Sequence, residues 1–168
     1  MTSVALQRAS IADEPLLANL LELYMHDMSE FFPLKLNPQG RFVYDRLSLY
    51  WSQPDSRHAY IISVNGDVAG CALVARSSAA SADPDVLDLN EFFVLRSHRR
   101  RGIGEQAAHL VWDKHPGDWV VRVAKTNHRA LAFWTATTDQ YGGESVSTSE
   151  FVSTTNQYRV YHFPSRVL

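Results

Sequence analysis

The residues best suited to chemistry lie close together. An acid stands inside an aromatic run, Glu91-Phe92-Phe93-Val94, and a basic, glycine-punctuated segment follows, Arg99-Arg100-Arg101-Gly102-Ile103-Gly104. A glutamate in an apolar strand is costly unless it has a partner, a wet face or a task. If burial raises its pKa towards the working pH, it suits general base catalysis. Its alternatives are an ion pair with an arginine such as Arg122, or exposure on the other face of the strand. The glycine segment leads into apolar residues at helical spacing, Ile103, Ala107, Leu110 and Val111. N–H groups at a helix start have no partner within the helix and carry the positive end of its dipole. Glycines there let the backbone approach bulky oxygens closely. Residues Arg100 to Glu105 are therefore expected to cradle a pyrophosphate. Glu105 would take part through its backbone alone, since its carboxylate would repel phosphate. The alternative for the arginine run is a solvated basic loop or a nucleic-acid patch. The glycines and the helix pattern weigh against the first. The net charge of -2 and the lack of a second basic cluster weigh against the second.

Elements must hold these groups in place. Val4 to Arg8 reads as a strand. Ser10 opens a helix with Asp13 as a capping-box partner, and Leu17, Leu20, Leu21, Tyr24 and Met28 form its buried stripe. Phe32 to Gly40 is broken by prolines and reads as a loop. Phe42, Leu47, Leu49 and Tyr50 suggest a short second helix of untidy phase. Ala59–Val64, Asn65-Gly66 and Val68–Arg76 make a hairpin whose turn residues tolerate left-handed backbone. A strand runs from about Val86 to Leu95, ahead of the basic turn and its helix. His115-Pro116-Gly117-Asp118 stops that helix, and Trp119–Val123 is the next strand. A last helix covers Ala130–Thr138, and two late strands lie near Val146–Val152 and Gln157–Phe163. Strands that alternate with helices after an antiparallel start predict an α/β (α+β) fold with a mixed central β-sheet flanked by helices.

The 168 residues fit a single domain, 1–168, and 45% hydrophobic with 20% charged residues describes a globular chain. The single cysteine, Cys71, cannot form an internal disulfide, the first residues lack a secretory leader's pattern, and no apolar run reaches spanning length. A cytoplasmic protein without membrane or nucleic-acid partners is the expectation. The seven histidines show no metal-ligand spacing, so no metal is expected.

The segment Arg99-Arg100-Arg101-Gly102-Ile103-Gly104 resembles the Arg/Gln-x-x-Gly-x-Gly/Ala signature of the GNAT acetyltransferase superfamily. The likeness extends to the strand ending at Val94, the helix after the glycines, the strand Trp119–Val123, and Asn127-x-x-Ala130-x-x-Phe133-Trp134, which is similar to the family's Asn-x-x-Ala-x-x-Phe-Tyr helix start. It implies a GNAT-like acyl-CoA N-acyltransferase fold. Acetyl-CoA would be held by the backbone of Phe92, Phe93 and Val94, by Arg99, Arg100, Arg101, Gly102, Ile103, Gly104 and Glu105, and by Asn127. The Val94 N–H would polarise the thioester carbonyl.

One position departs from the family pattern. The residue seven after the asparagine, normally a tyrosine that protonates the leaving thiolate, is Trp134. Indole donates a hydrogen bond but is no acid near neutral pH. Trp134 either packs on the thioester end of the cofactor or is a core tryptophan. For the base, Glu91 stands ahead of Asp88. It matches an acid near the amine in spermidine/spermine acetyltransferase, whose Leu-Glu-Asp-Phe-Phe-Val stretch is similar to Leu89–Val94. The first helix usually forms the acceptor side, so Tyr24 and Asp27, which share a face at i and i+3, join Glu91 as candidate substrate contacts. The resemblance implies transfer of acetyl to a primary amine of a small molecule. The alternative is a non-catalytic acyl-CoA-binding sensor or regulatory module. Late strand pairs often make dimer contacts in this family, so a homodimer is an expectation.

Overall fold

The computed structural model describes residues 3–166. Seven strands form one sheet in the order β1-β2-β3-β4-β5-β7-β6. They are β1 (Val4–Arg8), β2 (Arg57–Val64), β3 (Asp67–Arg76), β4 (Leu87–Val94), β5 (Asp118–Ala124), β6 (Ser147–Val152) and β7 (Gln157–Pro164). All neighbours are antiparallel except β4 and β5, which run parallel. The helices are α1 (Glu14–Met28), α2 (Leu49–Ser52), α3 (Ile103–Lys114) and α4 (His128–Gly142).

The two faces of the sheet carry different helices. Leu17, Leu20 and Leu21 of α1 and Tyr50 of α2 pack with Ile61, Cys71, Leu73 and Phe93 on one face. On the other face, Ile103, Ala107, Val111 and Trp112 of α3 and Trp134 of α4 pack with Val74, Leu87, Leu89, Val94 and Val121. Burying a leucine such as Leu17 or Leu21, both at 0% exposure, contributes about 2 kcal/mol. The stripe expected for α3 is shifted: Ala108 and Trp112 are buried and Leu110 is only partly so. Trp112 needs the room, and it packs edge-on against Tyr141 and Phe163.

The second helix is the main correction. Only one turn, Leu49–Ser52, is α-helical, and the residues from Phe42 onward approach it as irregular chain and turns. The start of α1 follows the sequence. Ser10 donates to Asp13 Oδ2 through its backbone N–H at 2.8 Å and its hydroxyl at 2.9 Å, a 3-10 turn covers Ile11–Asp13, and Pro15 lies in the first turn of α1.

Two irregularities in the middle of the sheet shape the site. The first is a bulge in β4. Leu73 pairs with Glu91 but Val74 pairs with Leu89, so Asn90 is an extra residue. Regular alternation would put Asn90 and Glu91 on opposite faces. The bulge turns both towards α1 and α2. The second is a splay. β4 and β5 are paired only at Leu87↔Trp119 and Asp88↔Val120, and beyond Asp88 they part.

Candidate functional site

The splay opens a cavity of about 450 Å³. Its walls are β4 (Leu89 to Phe92), β5 (Val121 to Ala124), the C-terminal half of α1, the chain before α2, and the first turns of α4. Leu95 N–H donates to Ala69 O of β3 at 2.8 Å. Successive N–H groups along a strand point in opposite directions. The N–H groups of Val94 and Phe92 therefore point away from β3, into the splay. Both lack a strand partner, because β5 has already diverged.

Glu91 stands on the cavity wall. Tyr44 Oη donates to Glu91 Oε1 at 3.0 Å, and the Tyr24 phenol lies beside the same carboxylate. Burial pushes the Glu91 carboxyl up from its usual range, against the downward pull of these two phenols and of Arg122. Burial and the nearby Glu91 charge raise both phenols well above the ordinary tyrosine value. The alternative of an ion pair between Glu91 and Arg122 is not realised. Arg122 Nε instead donates to Asp88 Oδ2 at 2.8 Å, and its Nη2 to Asn90 Oδ1 at 2.9 Å. Asp88 is 2% exposed, so it serves as the buried partner of Arg122.

Tyr44 is a site residue that sequence reasoning missed, as are Arg46 and Tyr158, which also line the cavity. Tyr44 and Arg46 lie in the stretch whose phase fits no helix, and that misfit was the available signal. Glu22 of α1 anchors the approach to this stretch. Its carboxylate accepts from Arg41 Nε at 2.7 Å and from the Phe42 and Val43 N–H groups at 3.1 and 3.4 Å. The anchoring is tight enough to hold Val43 at φ +36, a costly conformation for a β-branched residue.

The basic turn lies at the end of β4. Gly102 caps α3 with φ +74, where an L side chain is strained. A Cβ at Gly104 would come within 3.2 Å of the Phe133 ring. Arg100 is left-handed as well, at φ +58. Arg100, Arg101 and Gly102 are exposed, and Ile103 is buried and roots the helix in the core. Glu105 sits in the first turn of α3, close to Gln140 of α4.

Two residues turn away from the roles expected of them. Arg99 donates from Nε to Val94 O at 2.7 Å and from Nη2 to Asp27 Oδ2 at 2.6 Å, with its guanidinium 5.6 Å from the Phe93 ring centre. Its side chain is thus a strut between β4 and α1, and only its backbone belongs to the turn. Asp27 is the other end of that strut and also accepts from Arg96 at 2.6 Å. Partial burial raises the Asp27 pKa, but Arg99 and Arg96 outweigh it and hold the carboxyl below the usual range. Tyr24 faces the cavity and Asp27 does not line it, so the face they share in sequence is divided between two tasks.

At the start of α4, Asn127 Oδ1 accepts from Ala130 N–H at 3.0 Å, which caps the helix. Its amide NH₂ remains available to the cavity that it lines. Trp134 also lines the cavity but is 8% exposed. It meets Phe92 and Phe133 edge-on at 5.2 and 4.8 Å. Trp134 is therefore a core residue with one edge in the cavity. Cys71 is buried with its thiol pushed up to about 12, and so is no nucleophile at neutral pH. Among the described residues, no group of three or more His, Cys, Asp or Glu could hold a metal ion, and no helix is long and apolar enough to cross a membrane.

The arrangement fits a long, flexible, phosphate-bearing ligand. A helix start with backbone room can receive an anion, and unpaired strand amides in the splay can receive an extended polar chain. No curated protein matches the sequence. Solved structures do match. YncA of Salmonella typhimurium, assigned as an acetyltransferase and solved with its cofactor acetyl-CoA, is 14% identical with a TM-score of 0.66, over 99% of this chain and 96% of its own. An acetyltransferase from Thermus thermophilus is 18% identical with a TM-score of 0.63, over 96% of this chain and 97% of its own. Spermidine/spermine N-acetyltransferase SpeG from Vibrio cholerae is 11% identical with a TM-score of 0.60, over 96% of this chain and 92% of its own. At these identities the likeness establishes the fold. The sequence profile of the Acetyltransferase (GNAT) family matches residues 17–137, which include both the splayed strands and the glycine turn, and the chain thus belongs to the GNAT acetyltransferase family.

Proposed function

We propose that the protein transfers the acetyl group of acetyl-CoA to the primary amine of a small molecule by direct attack. The observation that carries this reading is the cavity in the β4–β5 splay, with a half-buried glutamate on its wall and the glycine-capped start of α3 at the end of the same strand. Acetyl-CoA supplies an activated acyl group.

This chain's own residues do the rest. The N–H groups of the α3 start, with the exposed guanidiniums of Arg100 and Arg101, hold the pyrophosphate. Ile103 anchors that start in the core. The backbone of Phe92 and Val94 and the Asn127 amide hold the extended arm. The Val94 N–H is aimed where negative charge develops on the acyl oxygen, and a fixed donor of that kind is worth about 3 kcal/mol of barrier. Glu91 takes the proton of the incoming ammonium, the freed amine forms the C–N bond at the acyl carbon, and the C–S bond breaks to release CoA as a thiolate that solvent protonates. Glu91 and Val94 are three residues apart, roughly 10 Å along the strand, so a water spans what the side chain does not reach. The raised pKa of Glu91 makes it a better base than an exposed carboxylate. Phe93 supports this strand from the other side by packing against α1, and Trp134 shields the acyl end from bulk water.

Thiol release from acetyl-CoA across a panel of primary amines tests the proposal. Turnover of at least one amine, lost in Glu91→Gln with cofactor affinity kept, is the expected result. A second reading, a non-catalytic acyl-CoA sensor, is favoured by Trp134, which puts indole where the family has an acid. Tight cofactor binding with no turnover of any amine would establish it instead.

A further inference from the structure

We infer that the acceptor is an α-amino acid with an apolar side chain, bound through its carboxylate as well as its amine. This rests on the acetyl-transfer reading above. The charges that line the cavity carry it. Glu91 is the single carboxylate among the described residues of its wall, whereas two guanidiniums line it, those of Arg46 and Arg122. Asp27, which could have made the cavity acidic, is spent on Arg96 and Arg99. Asp88 is closed off behind Arg122. A polyamine would find one anion here, and its further ammonium groups would face arginines. A zwitterion finds a partner at each end.

The geometry agrees. Arg122 is fixed by Asp88 and Asn90 through Nε and Nη2, and no described residue takes its Nη1. It is near enough to Glu91 to pull on its charge, yet the two make no ion pair. Both line the same cavity, so an ammonium at Glu91 and a carboxylate at Arg122 can be met within it. The Arg46 side chain is exposed, and its guanidinium makes no hydrogen bond or ion pair with any described residue, so it is available to close over the carboxylate. Paired donors of this kind recognise a carboxylate well. The remaining wall next to α1 is apolar (Met25, Met28, Phe32 and Leu34) and receives the side chain.

The experiment measures thiol release with leucine, phenylalanine and methionine, each against its amide and its decarboxylated amine, with spermidine as a further arm. Calorimetric binding of the same compounds to the CoA-loaded protein supplies a readout independent of turnover. The free amino acid is expected to exceed its amide and its amine at least tenfold in kcat/KM and in affinity. Arg46→Ala should erase most of that preference, lowering kcat/KM and affinity for the free amino acid at least tenfold. Turnover of the amines with no carboxylate preference, or with spermidine foremost, overturns this inference and leaves acetyl transfer standing. Cofactor binding without turnover or binding of any member overturns both.

Discussion

The two ends of β4 are built by different means. Beyond Val94, the turn into α3 works through backbone: a left-handed Gly102, a close-packed Gly104 and N–H groups at a helix start. At the bulge, the site works through side chains gathered from distant parts of the chain. Tyr24 comes from α1, Tyr44 and Arg46 from the chain before α2, Arg122 from β5, and Asn90 and Glu91 from β4 itself. A backbone site tolerates change in most side chains but not in its glycines. A side-chain site can change its ligand through single replacements, provided the frame holds. The first arrangement suits a cofactor that stays the same, and the second suits an acceptor that varies.

Substitutions can break this contrast. Gly102→Glu should have the largest effect. It strains the αL cap and places a carboxylate at the anion site, so acetyl-CoA affinity measured by calorimetry should fall more than a hundredfold. Affinity within threefold of the parent would remove the turn from the cofactor site. Glu91→Gln should lower kcat by about 10²–10³, the usual weight of a general base, with acetyl-CoA affinity changed less than threefold. If the cofactor constant falls in step with kcat, the two ends are not separable.

Arg122→Met probes the frame of the acceptor end. It leaves the buried Asp88 without its partner and should cost about 3 kcal/mol in urea unfolding. Tyr44→Phe should have the smallest effect, a shift in pH dependence. The Tyr44 hydroxyl favours ionised Glu91, so its loss raises an already elevated pKa. A base must be deprotonated to act, so the acid limb of the kcat/KM profile should move to higher pH, with little change on the alkaline side. An unmoved limb would assign that limb to another group.

The same contrast explains what could be read in advance. The strand, glycine turn and helix at the end of β4 were legible because their signal is local: glycines at fixed offsets, a strand before them and a helix after. Arg99 belongs to the turn in sequence, but its guanidinium reaches back to Val94 and across to Asp27, a contact that spans 72 residues. The acceptor end is non-local and was legible only in part. Glu91 stood out as an acid among aromatics. The bulge also left a trace, since apolar and polar residues alternate regularly from Leu87 to Asn90 and then two polar residues, Asn90 and Glu91, stand together. Tyr44 left none beyond a stretch that fits no helix, because its place is set by Glu22 holding the loop from another element.

The early parting of β4 and β5 has a further consequence for this sheet. β4 has three strands on one side and three on the other, so its amides would ordinarily be among the slowest to exchange hydrogen with solvent. Phe92 and Val94 lie beyond the last β5 pair, and in the ligand-free protein their amides should exchange like those of a loop, while their neighbours Phe93 and Leu95, bonded to β3, stay protected. An alternating fast–slow pattern along one central strand would report the empty groove directly, and a ligand that seats there as an extra strand would erase it.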